Sequence, residues 1–208
     1  GKGLGKIIAG KSIVGQFFES AVLTAGKDVQ ATYLLNCQLK ANGKLLVEGR
    51  KGVIIGGKTC AKLGVSCNGI GNIAEIATVV SVGIDKEDMT AYQELQKKIE
   101  QTQAELQTCE NGLNKLMANP VHDEKVSMMI QRLTRAVYTL KSSRKELFSE
   151  RDAQMEQMTK QKEARIQVSG RVYPGTLLFL NEDPFAIKEI YNNVEFVKHD
   201  NRIDTLAH

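Results

Sequence analysis

The residues that look most able to do chemistry stand at the start of the chain. Gly5, Gly10, Lys11 and Ser12 have the spacing of a phosphate-binding loop, in which backbone N–H groups and a lysine hold phosphates while a hydroxyl takes magnesium. Asp85, closing the apolar run 79–84, resembles the aspartate that completes such a magnesium site, and Gly69, Gly71 and Ala74 make a looser dinucleotide-type pattern. None has the right surroundings. A phosphate loop opens a helix whose N-terminus meets the phosphates, whereas Ser12 is followed by Ile13, Val14, Gly15, Gln16, Phe17 and Phe18, a β-branched and aromatic stretch that predicts strand. Residues 75–82 are β-branched where a dinucleotide fold requires a helix. Asp85, with Asp88 three residues on, is better placed to cap a helix.

The Gly-Lys pair also recurs, as Gly10-Lys11, Gly26-Lys27, Gly43-Lys44 and Gly57-Lys58, each between short apolar runs. Spacings of 16, 17 and 14 residues leave no room for helices between strands, but they suit a coil of strands stacked about 4.8 Å apart. No six-residue beat is present, so residues 1–84 are expected to form the first part of a right-handed parallel β-helix. Each glycine is then expected to turn a tight corner at positive φ. Lys11, Lys27, Lys44 and Lys58 are expected to stack in a column that either shields a strand edge or contacts an anionic surface.

The charge distribution agrees with a divided chain. Residues 1–84 hold ten Lys or Arg against four Asp or Glu, residues 85–165 hold fourteen of each, and residues 166–208 hold four against six. In 85–165 the apolar positions Tyr92, Leu95, Ile99, Thr102, Leu106, Cys109, Leu113 and Leu116 alternate by three and four, the seam of a coiled coil. A second seam runs Val126, Ile130, Leu133, Val137, Leu140, Arg144, Leu147, Arg151, Gln154 and Met158. Asn119 and Pro120 between them suit an N-cap and a first helical residue, with Asp123 and Glu124 complementing the dipole. So short a connection predicts an antiparallel hairpin, inserted into the solenoid and projecting on the order of 45 Å. Strand character returns at residues 166–187, expected to be the last solenoid turn. Residues 188–208 are expected to form a β cap over its end. The fold class is thus mainly β with an α insertion.

Other chemistries find little support. Glu19, Asp28, Glu48 and Glu75 are too scattered for the carboxylate cluster of a polysaccharide-cleaving β-helix. His122, His199 and His208 have no evident nucleophile partner. Cys37, Cys60, Cys67 and Cys109 lack metal-ligand spacing, and Cys37, Cys60 and Cys109 read as small buried hydrophobes, which favours a reducing compartment. No metal or cofactor is expected. No specific nucleic-acid groove is expected either, since only Phe17, Phe18 and Tyr33 could interleave with the lysines. The chain begins with Gly1 inside the repeat, without an initiator Met, and is read as a fragment.

Several segments resemble the bacterial flagellar assembly protein A family. They are residues 18–29, residues 41–57 with Gly49-Arg50-Lys51-Gly52 at their centre, Val82-Gly83-Ile84-Asp85 leading into the coiled coil, and Gly170-Arg171-Val172-Tyr173-Pro174-Gly175 on its far side. Asn42 stands where the family more usually has glycine. The resemblance implies further N-terminal sequence and a non-enzymatic, cytoplasmic or membrane-peripheral protein of flagellar assembly or cell-pole organisation, with no catalytic motif to carry over. The expected function is that of a scaffold or adaptor with protein partners such as flagellar or polar factors, a homo-oligomer being compatible with it. Its expected contact site is the hairpin tip around Met117, Asn119, Pro120, Val121, Met128 and Met129, where flexible methionines suit a partner surface. An anion-binding solenoid for polysaccharide, nucleic acid or lipid is the alternative, with a polysaccharide-modifying or nucleotide-binding enzyme further behind.

Overall fold

The short apolar runs form strands because their residues alternate between two environments. In Ala21–Ala25, for instance, the odd residues are buried and the even ones half-buried. The structure, a computed structural model, describes residues 5–118, 123–200 and 202–207. Its strands stack in parallel into three columns, giving a β-solenoid of about four turns interrupted by two helices. The mainly-β fold with an α insertion expected from the repeat is therefore the fold observed.

The first column contains β1 (Gly5–Ala9), β4 (Ala21–Ala25), the second half of β6 (Tyr33–Ala41) and of β8 (Val53–Ala61), β10 (Thr78–Val82) and β12 (Thr176–Leu180). The second contains β2 (Ile13–Val14), β5 (Val29–Ala31), β7 (Leu45–Val47), β9 (Val65–Ile70) and β11 (Ile166–Val172). The third begins with β3 (Phe17–Glu19) and continues through the first halves of β6 and β8 to the ends of β9 and β11. Three antiparallel strands close the C-terminal end. β13 (Asp183–Ala186) lies on β12, β14 (Tyr191–His199) on β11, and β15 (Arg202–Ala207) on β14.

The register lines up like residues inside. Leu23, Leu39, Thr59, Val80 and Leu178 form one inward row, and Val29, Leu45, Val65, Ile166 and Phe196 another. All ten are almost fully buried, each large apolar side chain contributing about 1.5–3 kcal/mol through removal from water. Thr59 enters the core through the strand alternation, which turns its neighbour Cys60 outward. Cys60 is therefore half-buried on the outer face, contrary to its expected place in the core.

Gly10, Gly26 and Gly43 do not take positive φ, so the corner explanation for the glycines fails at three of the four Gly-Lys pairs. Their corners are tight for a different reason. The Gly26 N–H donates to the Ala9 carbonyl, and a Cβ on Gly26 would overlap the Gly10 carbonyl of the turn before. Gly57 does have φ +76, within β8. Next along the corner row come Asn42, Lys62, Gly83 and Asn181, each donating its N–H to the turn beneath.

Compact units divide the chain into Gly1–Lys86 with Met158–His208, and Glu87–Gln157. Within the first, Asn181 joins the two crossings of the chain. Its Oδ1 accepts the Ile84 N–H at 2.9 Å, and its Nδ2 donates to the Lys162 carbonyl at 3.1 Å. The second unit is built from α1 (Lys86–Met117) and α2 (Glu124–Lys162). All eight α1 and all ten α2 seam residues are buried or half-buried, whereas most of their helical neighbours are exposed. Arg144 Nη1 donates to Gln103 Oε1 at 2.9 Å and Lys141 bridges Glu110 at 2.9 Å, while Leu133 packs beside Gly112. Partner numbers that fall along one helix as they rise along the other mark an antiparallel pair.

Adding a methyl group at Gly26 should lower unfolding stability by about 1–3 kcal/mol through overpacking against the turn before. At Gly10 a Cβ meets nothing within 4 Å, so Gly10→Ala should change it by less than about 0.5 kcal/mol. Urea denaturation of Gly26→Ala and Gly10→Ala measures the contrast, and equal losses would contradict the stacking account.

Candidate functional site

The loop pattern at residues 5–12 folds as strand, corner and strand. Gly5 opens β1, Lys11 and Ser12 form the corner, and Ile13 begins β2. The backbone N–H groups needed to cradle phosphate are instead turned along the ladder. Ile13 N–H donates to Asp28 O, and Lys27 N–H donates to the Lys11 carbonyl. Gly71, in the dinucleotide-type pattern, has φ +76 and leads into a loop that ends at β10, again with no helix. Asp85 directly precedes α1 and lies 3.9 Å from Lys40 Nζ.

The four lysines do not form one column. Ile13, Val29, Leu45 and Val65 are successive partners, so two residues earlier Lys11 and Lys27 are followed by Gly43 and Leu63. Lys44 falls one position out of line, above Asp28, whose Oδ1 accepts its backbone N–H at 2.8 Å. Lys58 belongs to the first column, in line with Lys6, Val22 and Gln38. The expectation failed because the turns differ in length. Partners Val22 and Gln38 are 16 residues apart, whereas Gln38 and Lys58 are 20 apart. Equal spacing of a dipeptide is then not equal position on the solenoid.

The carboxylates are likewise separated. Glu19 ends β3, Asp28 sits at the corner before β5, Glu48 follows β7, and Glu75 lies in the loop before β10 at φ +53. No cluster of three or more His, Cys, Asp or Glu able to hold a metal occurs among the described residues. His199 ends β14, while His122 and His208 lie outside the described residues. Cys67 is the residue with the most altered chemistry. Burial raises its thiol pKa from 9.0 to about 12, a backbone hydrogen bond at Gly69 offsetting part of the rise. Such a thiol is inert as a nucleophile.

At the distal end of the helical unit, Met117, Met128 and Met129 are 62%, 49% and 56% exposed. Asn119, Pro120 and Val121 of the expected tip site lie outside the described residues, as do the cap assignments made for Asn119 and Pro120. The observed N-cap of α2 is Asp123, whose Oδ1 accepts the Val126 N–H at 2.8 Å while its carbonyl accepts from Ser127. Tyr138, 79% exposed on α2, was not singled out by sequence, since one aromatic off the seam carries no periodic signal.

The protein-family model for the flagellar assembly protein A beta solenoid domain matches residues 1–203. The chain belongs to this family. Comparison with curated proteins and with solved structures finds no match. The flagellar assembly protein A family is by its name one of assembly, and the solenoid is the fold its model describes. No helix among the described residues is long and apolar enough to cross a membrane.

Two outcomes follow from this geometry. The chain should show no ATP or GTP affinity in the micromolar range by calorimetry, and any weak binding should fall equally in Lys11→Ala and Lys27→Ala. Tight binding lost only in Lys11→Ala would restore the nucleotide site. The buried neutral Cys67 thiol stabilises the fold fully below pH 9, where the unfolded thiol is also protonated. Above it only the unfolded thiol ionises, so stability should fall by up to about 1.4 kcal/mol per pH unit until about pH 12. The difference between wild type and Cys67→Ala in pH-dependent urea unfolding measures this contribution, and parallel curves would contradict it.

Proposed function

We propose that the protein is a non-catalytic scaffold or adaptor in flagellar assembly or cell-pole organisation, acting through contact surfaces from the cytoplasm or the membrane periphery. The observation that carries this reading is the group of three exposed methionines where the helical pair ends. Their unbranched thioether side chains adapt to irregular partner surfaces, and burying them would remove apolar area from water. The separation of the solenoid carboxylates supports the same reading, because acid–base chemistry needs groups converging on one reacting atom. Family membership supplies the assembly context.

Met117, Met128 and Met129 are the described part of the proposed partner site. A chain carrying Met117→Gln, Met128→Gln and Met129→Gln should fold normally, because these side chains are exposed. When this variant replaces the wild type in a flagellated cell, flagellation should drop and partner proteins recovered with the wild type should be lost. Unchanged flagella and partners at equal protein level would overturn the proposal.

A further inference from the structure

Between Lys125 and Lys145, α2 carries six cations, Lys125, Arg132, Arg135, Lys141, Arg144 and Lys145, and no Asp or Glu. Two of these are used within the helical pair, Lys141 on Glu110 and Arg144 on Gln103. The other four are exposed. At 100° per residue, Lys125, Arg132, Arg135 and Lys145 fall on the half of the helix turned away from the seam Val126, Ile130, Leu133, Val137 and Leu140. Tyr138 lies on that same half, and Met128 at its centre, 49% exposed.

We infer that this outer face of α2 binds an anionic lipid surface. The charges extend over about 30 Å along a straight helix, too far for one phosphate group but suited to a plane of headgroups. The face holds no continuous apolar stripe that a third helix could bury, so protein helix packing is the poorer match. Four to eight Lys or Arg on one helix face have the charge needed to adsorb to an acidic leaflet, and Tyr and Met add side chains that settle at the headgroup level. This contact goes beyond the proposed protein site, because it uses the flank of α2 and requires no protein partner.

The test is sedimentation of the purified full chain with vesicles of phosphatidylcholine alone or containing 30% phosphatidylglycerol. The wild type should bind only the anionic vesicles and leave them as salt rises. Lys125→Gln, Arg132→Gln, Arg135→Gln and Lys145→Gln together should weaken partitioning at least roughly a hundredfold at unchanged circular dichroism. A control with Lys11→Gln, Lys27→Gln, Lys44→Gln and Lys58→Gln removes equal charge from the solenoid and should retain binding. The inference is overturned if anionic vesicles are not bound, if both variants lose binding equally, or if duplex DNA binds more tightly with the same dependence on the α2 cations. Loss of binding in the α2 variant with flagellation and partners intact would leave the methionine site standing, so the two contacts fail separately.

Discussion

Each turn of the solenoid satisfies its backbone N–H and C=O groups on the turns above and below, and this requirement decides where the chain is free to vary. Strands must keep their register, because a one-residue slip would turn every inward side chain outward. Added residues must leave at corners. The first two turns repeat at 16 residues, with Thr32 alone between β5 and β6. In the next turn residues 48–52 occupy that corner, with Gly49 and Gly52 at φ +113 and +56. Residues 71–77 fill a second corner and residues 83–165 the third. The helical insertion is thus the largest of three corner expansions. It leaves the parallel ladder intact, since β10 pairs with β12 and β9 with β11 across nearly a hundred residues.

That constraint also explains which features were legible in the sequence. Heptad alternation was read correctly residue by residue, because an α-helix imposes a fixed angular step on every position. The repeat was legible as architecture but its phase was not. A dipeptide marks a corner only while turn length is constant, and residues 48–52 broke that constancy before Gly57-Lys58. Glycine was interpreted through φ, its usual reason at a turn, when close approach of successive backbones was the operative one at Gly26. Cys60 and Thr59 exchanged their expected places because strand alternation, not residue type, assigns the face. Thr78 resolves its burial through hydrogen bonds, accepting from Gly56 N–H at 2.9 Å and donating to the Ile76 carbonyl at 2.8 Å, which no local pattern announced.

The same reasoning bears on where chemistry is possible. A parallel ladder fixes side chains in rows about 4.8 Å apart, a geometry that serves catalysis when several rows converge on one groove. Here the four acidic residues of residues 1–84 occupy separate strand ends and corners, and the thiol with the greatest pKa change is sealed inside. The solenoid contributes regular support and closed hydrogen bonding. Adaptable groups, methionine and unpaired cation, are carried by the helices.

Segment charge sums hid the second of these groups. Residues 85–165 are neutral in total, and this drew attention to the lysines of the basic repeat. Neutrality over eighty residues is compatible with strong separation along them, because screening makes local density, not the total, decide what a surface attracts. The acid-free run on α2 alternates seam and outer positions, so its cations divide between pairing within the helical unit and exposure on the far side. Register determines the charge surface of the solenoid, and helical phase determines that of the insertion. A cation acquires its role from which of these two lattices carries it.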